Sequence, residues 1–136
     1  MKLRYAITAL TVVLHVGWAD LAFADRQTLT SDASISASGT SGGQNNSGDC
    51  GFVAEVPNHT VDVAEDLAYV LVQVQTSGSP TLLIEGPTGR YCVLPEGAGG
   101  NLQFSGYAPQ GTYNIYIGDR EQGQHTYNLS ISGKAD

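Results

Sequence analysis

The stretch that decides the fold is "GTYNIYIGDREQGQHTYNLSISG", residues 111–133. Tyr113, Ile115 and Ile117 recur at every second position, with Asn114 and Tyr116 between them. After a polar, Gly-containing turn, Tyr127, Leu129 and Ile131 repeat the pattern against Thr126, Asn128 and Ser130. Period-two alternation marks a strand with one buried face. Two such runs joined by "GDREQGQ" read as a β-hairpin, a last pair closing a sheet whose other members lie far earlier in the chain.

The same texture extends back to Cys50. "FVAEV" ends at Pro57-Asn58, and "HTVDVAED" sets Val61 and Val63 on one face. "LAYVLVQVQT" is the strongest strand, with Val70, Val72 and Val74 inward and Tyr69, Gln73 and Gln75 outward. "TLLIEG", "RYCVLP" and "LQFSGY" follow, separated by "GPTG" and a Gly-rich loop. In "GPTG", Pro87 is preset for the second position of a turn. About eight short strands with no helical pattern predict an all-β, antiparallel β-sandwich.

The N-terminus reads differently. Lys2 and Arg4 precede an apolar run that ends in Ala22-Phe23-Ala24. A charged start, a short apolar core and an A-x-A end make residues 1–24 a secretory signal peptide, cleaved before Asp25. His15, Trp18 and Asp20 interrupt the run too early for a membrane span, which needs roughly 20 apolar residues. The exported chain is therefore expected in the periplasm or secreted, with no membrane insertion. Residues 25–49, "DRQTLTSDASISASGTSGGQNNSGD", hold only Leu29 and Ile35 as large apolar residues. That composition predicts a flexible arm, leaving residues 50–133 as the domain.

Charge narrows the partners. Losing Lys2, Arg4 and Asp20 makes the formal charge one unit more negative than −7, with Arg26, Arg90, Arg120 and Lys134 as the fixed cations. A nucleic-acid partner needs a basic footprint, so none is expected. The two remaining cysteines, Cys50 and Cys92, allow one intramolecular disulfide in an oxidising compartment. A reactive or metal-binding thiol pair is the alternative, but the spacing is not C-x-x-C and no cation adjoins Cys50.

In order, "TLLIEGPTGR", "YAPQGTYNIYIGD" and "HTYNLSIS" resemble the bacterial pre-peptidase C-terminal (PPC) domain over about residues 51–133. The motifs that carry the likeness are Gly86-Pro87-Thr88-Gly89, Ala108 to Tyr113, and Tyr127 to Ile131. The resemblance implies a small jelly-roll-like sandwich, non-catalytic, which assists secretion, targeting or substrate binding of secreted enzymes. This chain would be a stand-alone member, since no peptidase accompanies the domain. Related collagen-binding domains hold calcium. Where the family often carries "D-x-D-L", this chain reads Ser79-Pro80-Thr81-Leu82, so no cofactor is expected. The sequons at Asn45, Asn58 and Asn128 carry little meaning in a bacterial host.

Chemistry is sparse. His125 stands near Asp119 and Glu121, but the spacing matches no zinc pattern. No G-x-S-x-G elbow or phosphate loop is present, and Ser105 reads as an ordinary strand residue, so no catalytic residue is assigned. The candidate ligand-binding residues are Tyr69 and Gln73 with Asn114 and Tyr116, outward by alternation, and Asp119 and Arg120 in a loop expected to face solvent. Exposed Tyr among amides suits a glycan or a peptide; Tyr also simply favours strands. The chain is thus expected to be an exported binding module for an envelope or extracellular protein or polysaccharide. The alternative is an accessory protein that assists secretion or stability of a separate hydrolase.

Overall fold

The computed structural model describes residues 25–96 and 100–134. The signal peptide read over residues 1–24 lies outside the described residues. Among the described residues, eleven strands form two sheets. β1 (Asp25–Leu29), β5 (His59–Val63), β10 (Gly111–Asp119), β7 (Pro80–Gly86) and β8 (Gly89–Val93) make one, with the short β4 (Phe52–Val53) and β3 (Asn45–Asn46) continuing beside the end of β10. β2 (Ser34–Thr40), β11 (Thr126–Ser132), β6 (Leu67–Thr76) and β9 (Asn101–Ala108) make the other. The sandwich is all-β, and its pairs are antiparallel apart from β1 with β5.

The inward stripes of both sheets meet in one core. Val70, Val72 and Val74 of β6 and Leu129 and Ile131 of β11 face Leu82 and Ile84 of β7 and Ile115 and Ile117 of β10. Each fully buried aliphatic side chain of this kind is worth about 2 kcal/mol over its exposed state. The turn at 86–89 forms as read: Gly86 faces Gly89 in register, with Pro87 and Thr88 between β7 and β8.

Two expectations are overturned. β10 and β11 do not form a hairpin: β10 pairs with β5, β7 and β4, whereas β11 pairs with β2 and β6 in the opposite sheet. The connection between them is an arch across the core. Alternation cannot separate the two cases, because either one buries the same stripe on each strand.

Residues 25–49 are likewise no flexible arm. β1 adds to β5 over five residue pairs, and β2 to β11 over seven. Leu29 and Ile35, the large apolar residues of the segment, are both buried in the core. The domain therefore includes β1 and β2 and does not begin at Cys50. Its small residues lie in the strands because "SISASGT" places Ile35, Ala37 and Gly39 inward; Gly39 lies under the Tyr127 ring, where an added Cβ would meet the hydroxyl at 2.6 Å.

At the start of β5 the core takes in a histidine. His59 is 5% exposed, its Nε2 is 2.6 Å from the Tyr127 hydroxyl, and its Nδ1 lies 3.5 Å from an Asp25 carboxylate oxygen. Burial outweighs the pull of Asp25 and lowers the His59 pKa below its ordinary 6.5. Burial also pushes the Tyr127 hydroxyl up to about 12, and the hydroxyl and the His59 ring share a hydrogen bond. Because the folded pKa is depressed, the unfolded chain takes up the proton first as pH falls through 6.5. Stability should therefore decline with falling pH from about 6.5 downward, and His59→Gln should flatten that limb of a urea-midpoint-versus-pH curve. An identical slope in the variant would contradict this reading.

Candidate functional site

Sheet membership divides the predicted binding residues into two groups. Tyr69 and Gln73 lie on β6, and Asn114 and Tyr116 on β10. With the inward residues of each strand in the shared core, the outward ones stand on opposite outer faces of the sandwich. No single ligand site joins all four.

The β10 side is covered. Residues 41–53 fold back over the outer face of the seven-stranded sheet, where Cys50 and Val53 pack on Leu83, with Cys92 and Tyr116 against them. Cys50 is bonded to Cys92, with Cα atoms 5.6 Å apart, so the paired-cysteine reading holds. The Thr81 hydroxyl donates to the Cys50 carbonyl at 2.6 Å, and the Gly42 amide donates to the Ile117 carbonyl at 2.9 Å. Gly118 makes this approach possible: a Cβ there would lie 2.3 Å from Thr81 Oγ1 and 2.9 Å from the Phe52 carbonyl oxygen. Tyr116 and Asn114 are half-buried beside this cap.

Asp119 departs furthest from expectation. It ends β10 at 1% exposed instead of standing in a solvated loop. One carboxylate oxygen takes His125 Nδ1 at 2.9 Å, and the other accepts the Glu121 amide at 3.1 Å. The His125 carbonyl accepts from the Ser41 amide at 2.7 Å, tying the cap to the same corner. The carboxylate is drawn inside because the connection is an arch, whose corner carries turn amides that need an acceptor. Arg120 and Glu121 remain exposed. Among the described residues, no three His, Cys, Asp or Glu side chains gather to hold a metal ion.

This changes the expected mutational pattern. Asp119→Ala should lower stability by about 3 kcal/mol, since it strands a half-exposed His125 and a turn amide without their buried partner. Arg120→Ala and Glu121→Ala should each stay within about 0.5 kcal/mol. Chemical denaturation of the three variants checks the contrast, and equal midpoints for all three would refute it.

The β6 side is open, and its chemistry is uniform. Register aligns Ser38, Asn128, Gln75 and Asn101 in one row across β2, β11, β6 and β9. The next rows are Ser36, Ser130, Gln73 and Gln103, then Ser34, Ser132, Leu71 and Ser105, and Thr40 pairs with Thr126 at the far end. Beyond Leu71, where the β6–β9 register shifts, lie Tyr69 and Tyr107; Tyr107 is 62% exposed and also borders the gap between the sheets. None of these positions carries a charge. Neighbouring members already bond to one another: Gln73 Nε2 donates to Gln103 Oε1 at 3.3 Å, and the Ser34 and Ser132 hydroxyls meet at 3.4 Å.

Soluble domains ordinarily set charged side chains over about a quarter or more of their surface. Here the fixed ion pairs of the described residues, Arg26 with Asp62 and Arg90 with Asp49, lie on the other sheet and its cap. Rows stand about 4.8 Å apart across strands and about 6.7 Å apart along them, which makes a regular lattice of donors and acceptors. Of the predicted residues, Tyr69 and Gln73 belong to this face. Asn101, Gln103, Ser105, Tyr107 and the serines of β2 join them and were not singled out from sequence.

No family model matches the chain. An uncharacterized protein of Synechococcus elongatus is 38% identical over 136 residues, spanning 97% of this chain and 100% of that one. Among solved structures, the pre-peptidase C-terminal domain of a collagenase from Bacillus anthracis aligns with a TM-score of 0.52 at 20% identity, covering 81% of this chain and 95% of that one. CorA, a surface-associated copper-binding protein of Methylomicrobium album, aligns with a TM-score of 0.50 at 12% identity over 80% and 98% of the two chains. At these identities the likeness is one of fold, and the fold is similar to that of a PPC domain.

Proposed function

The chain belongs to one family with the Synechococcus elongatus protein, and from the uncharged face of its four-stranded sheet we propose that it is an exported, non-catalytic module that binds a neutral polysaccharide. It acts in the periplasm or outside the cell, as a domain of the PPC type. The observation that carries this reading is the lattice of Ser, Thr, Asn and Gln across β2, β11, β6 and β9. Short hydroxyls and amides offer hydrogen bonds while losing little rotamer freedom on contact. A neutral, hydroxyl-rich polymer meets no unpaired charge there, and no ion has to be stripped of water. Tyr69 and Tyr107, at one end, add apolar rings on which a sugar ring can lie.

A polyanion is opposed by the net charge, −7 for the whole sequence and one unit more negative once residues 1–24 are removed, and a polycation would be drawn to the carboxylates elsewhere. Depletion assays with insoluble neutral glucans, chitin and alginate test the reading. The protein should leave solution with a neutral polymer and not with alginate. Gln73→Glu with Gln103→Glu, which places two charges in the middle row, should weaken that binding about tenfold, equivalent to about 1.4 kcal/mol. Binding to alginate alone, or equal binding by the double variant, would sink the proposal.

A further inference from the structure

The core is not filled at the end of the sandwich opposite Asp119. A cavity of about 200 Å³ lies there between the sheets, with Val63, Val70, Ile84 and Phe104 among its walls. Protein interiors pack as densely as organic crystals, and voids larger than a water molecule are few. An apolar void of roughly 150 Å³ is large enough to hold benzene.

One residue shows why the space stays open. Gly106 sits in β9 opposite Val70, inward by alternation between Phe104 and Ala108. Its backbone is not in the left-handed region. A Cβ added there would meet the Phe104 ring at 3.6 Å, an ordinary contact. Neither conformation nor crowding calls for glycine, and glycine weakens a strand. What its missing side chain does is leave the cavity unfilled.

The mouth is polar. Thr88 and Tyr91 stand there with their hydroxyls 2.8 Å apart, and Tyr91 is exposed although large. The Tyr113 hydroxyl donates to the Pro109 carbonyl at 2.7 Å. A carboxylate stands near the opening: Asp66, which accepts the Gln110 backbone amide and acts on Tyr113. Burial, then Tyr91, Tyr107 and Asp66, raise the Tyr113 pKa, in keeping with a site that resists negative charge.

From these features we infer that the cavity is a binding site for a small neutral aromatic molecule, its ring among the aliphatic walls and one hydrogen-bonding substituent at Thr88 and Tyr91. The site lies between the sheets, apart from the Ser, Thr, Asn and Gln rows of the outer face, although Tyr107 borders it; phenol binding is therefore read on Val63, Val70 and Ile84, which take no part in that face.

Phenol, benzene and benzoate are the probes. In titrations followed by methyl NMR on the exported protein, phenol should shift Val63, Val70 and Ile84 saturably and raise the melting temperature. Benzoate, whose charge would have to shed its water among apolar walls and beside Asp66, should bind at least tenfold more weakly than phenol. Gly106→Leu should fill the cavity, keep a cooperative melt and weaken phenol binding more than tenfold. If Gly106→Leu does not fold, Ala108→Leu serves the same purpose from the neighbouring inward position, and its phenol affinity decides the matter. The inference is overturned if phenol produces no saturable shift, if benzoate binds as well as phenol, or if the filled variant binds phenol as the wild type does.

Discussion

A chain that begins at residue 50 should not melt cooperatively. Deleting residues 25–49 removes β1 from β5 and β2 from β11, and with them five and seven residue pairs of sheet. It also removes Leu29 and Ile35 from the core, at 1% and 6% exposed. Truncating either one alone to alanine would cost about 2–5 kcal/mol. Losing both, and uncovering two strand edges besides, removes an amount comparable with the whole 5–15 kcal/mol by which domains are typically stable. The deleted chain should show collapsed amide dispersion by NMR and no thermal transition by circular dichroism. A cooperative melt near the wild-type midpoint would mean that β1 and β2 are appendages to a domain that starts at Cys50.

The second large effect lies in the bridge. Cys50→Ser with Cys92→Ser opens a loop spanning a sequence separation of 42. On the chain-entropy account this costs about 4 kcal/mol, through the wider freedom of the unfolded chain. The native state should loosen in a defined place. The cap holds to the sheet through Cys50, Val53 and a few hydrogen bonds, whereas the main core lies between the sheets and does not include Cys50 or Cys92. Amide exchange should therefore speed up over residues 42–53 well before it does in β6 or β11. A double variant as stable as the wild type, or uniform exchange across the chain, would contradict this role.

The strands between His59 and Ser132 were legible because their apolar residues mostly alternate, or in β7 run together, between turn residues. "LAYVLVQVQT" matches β6 residue for residue. β1 and β2 were hidden because a Ser/Gly-rich composition outweighed a short alternation. Yet "SISASGT" has the same period as β6, with small residues where β6 has valines. Which strands share a sheet was not legible at all. An inward stripe is the same on a hairpin and on an arch, so Asp119 was placed in solvent when it closes a buried corner. The candidate site inherited that limit. Tyr69 and Gln73 were outward by alternation, but their neighbours Gln103, Ser130 and Ser36 come from three other segments, and only the register joins them.

Chemical-shift mapping with a soluble neutral oligosaccharide tests the central claim most directly. Amide and side-chain signals of Gln73, Gln75, Asn101, Gln103 and Asn128 should move together and saturate, with the Tyr69 and Tyr107 rings, while the capped face around Cys92 and Tyr116 stays still. Shifts confined to the capped sheet or to the Arg120–Glu121 turn, or no saturable shift with any neutral oligosaccharide, would contradict the account.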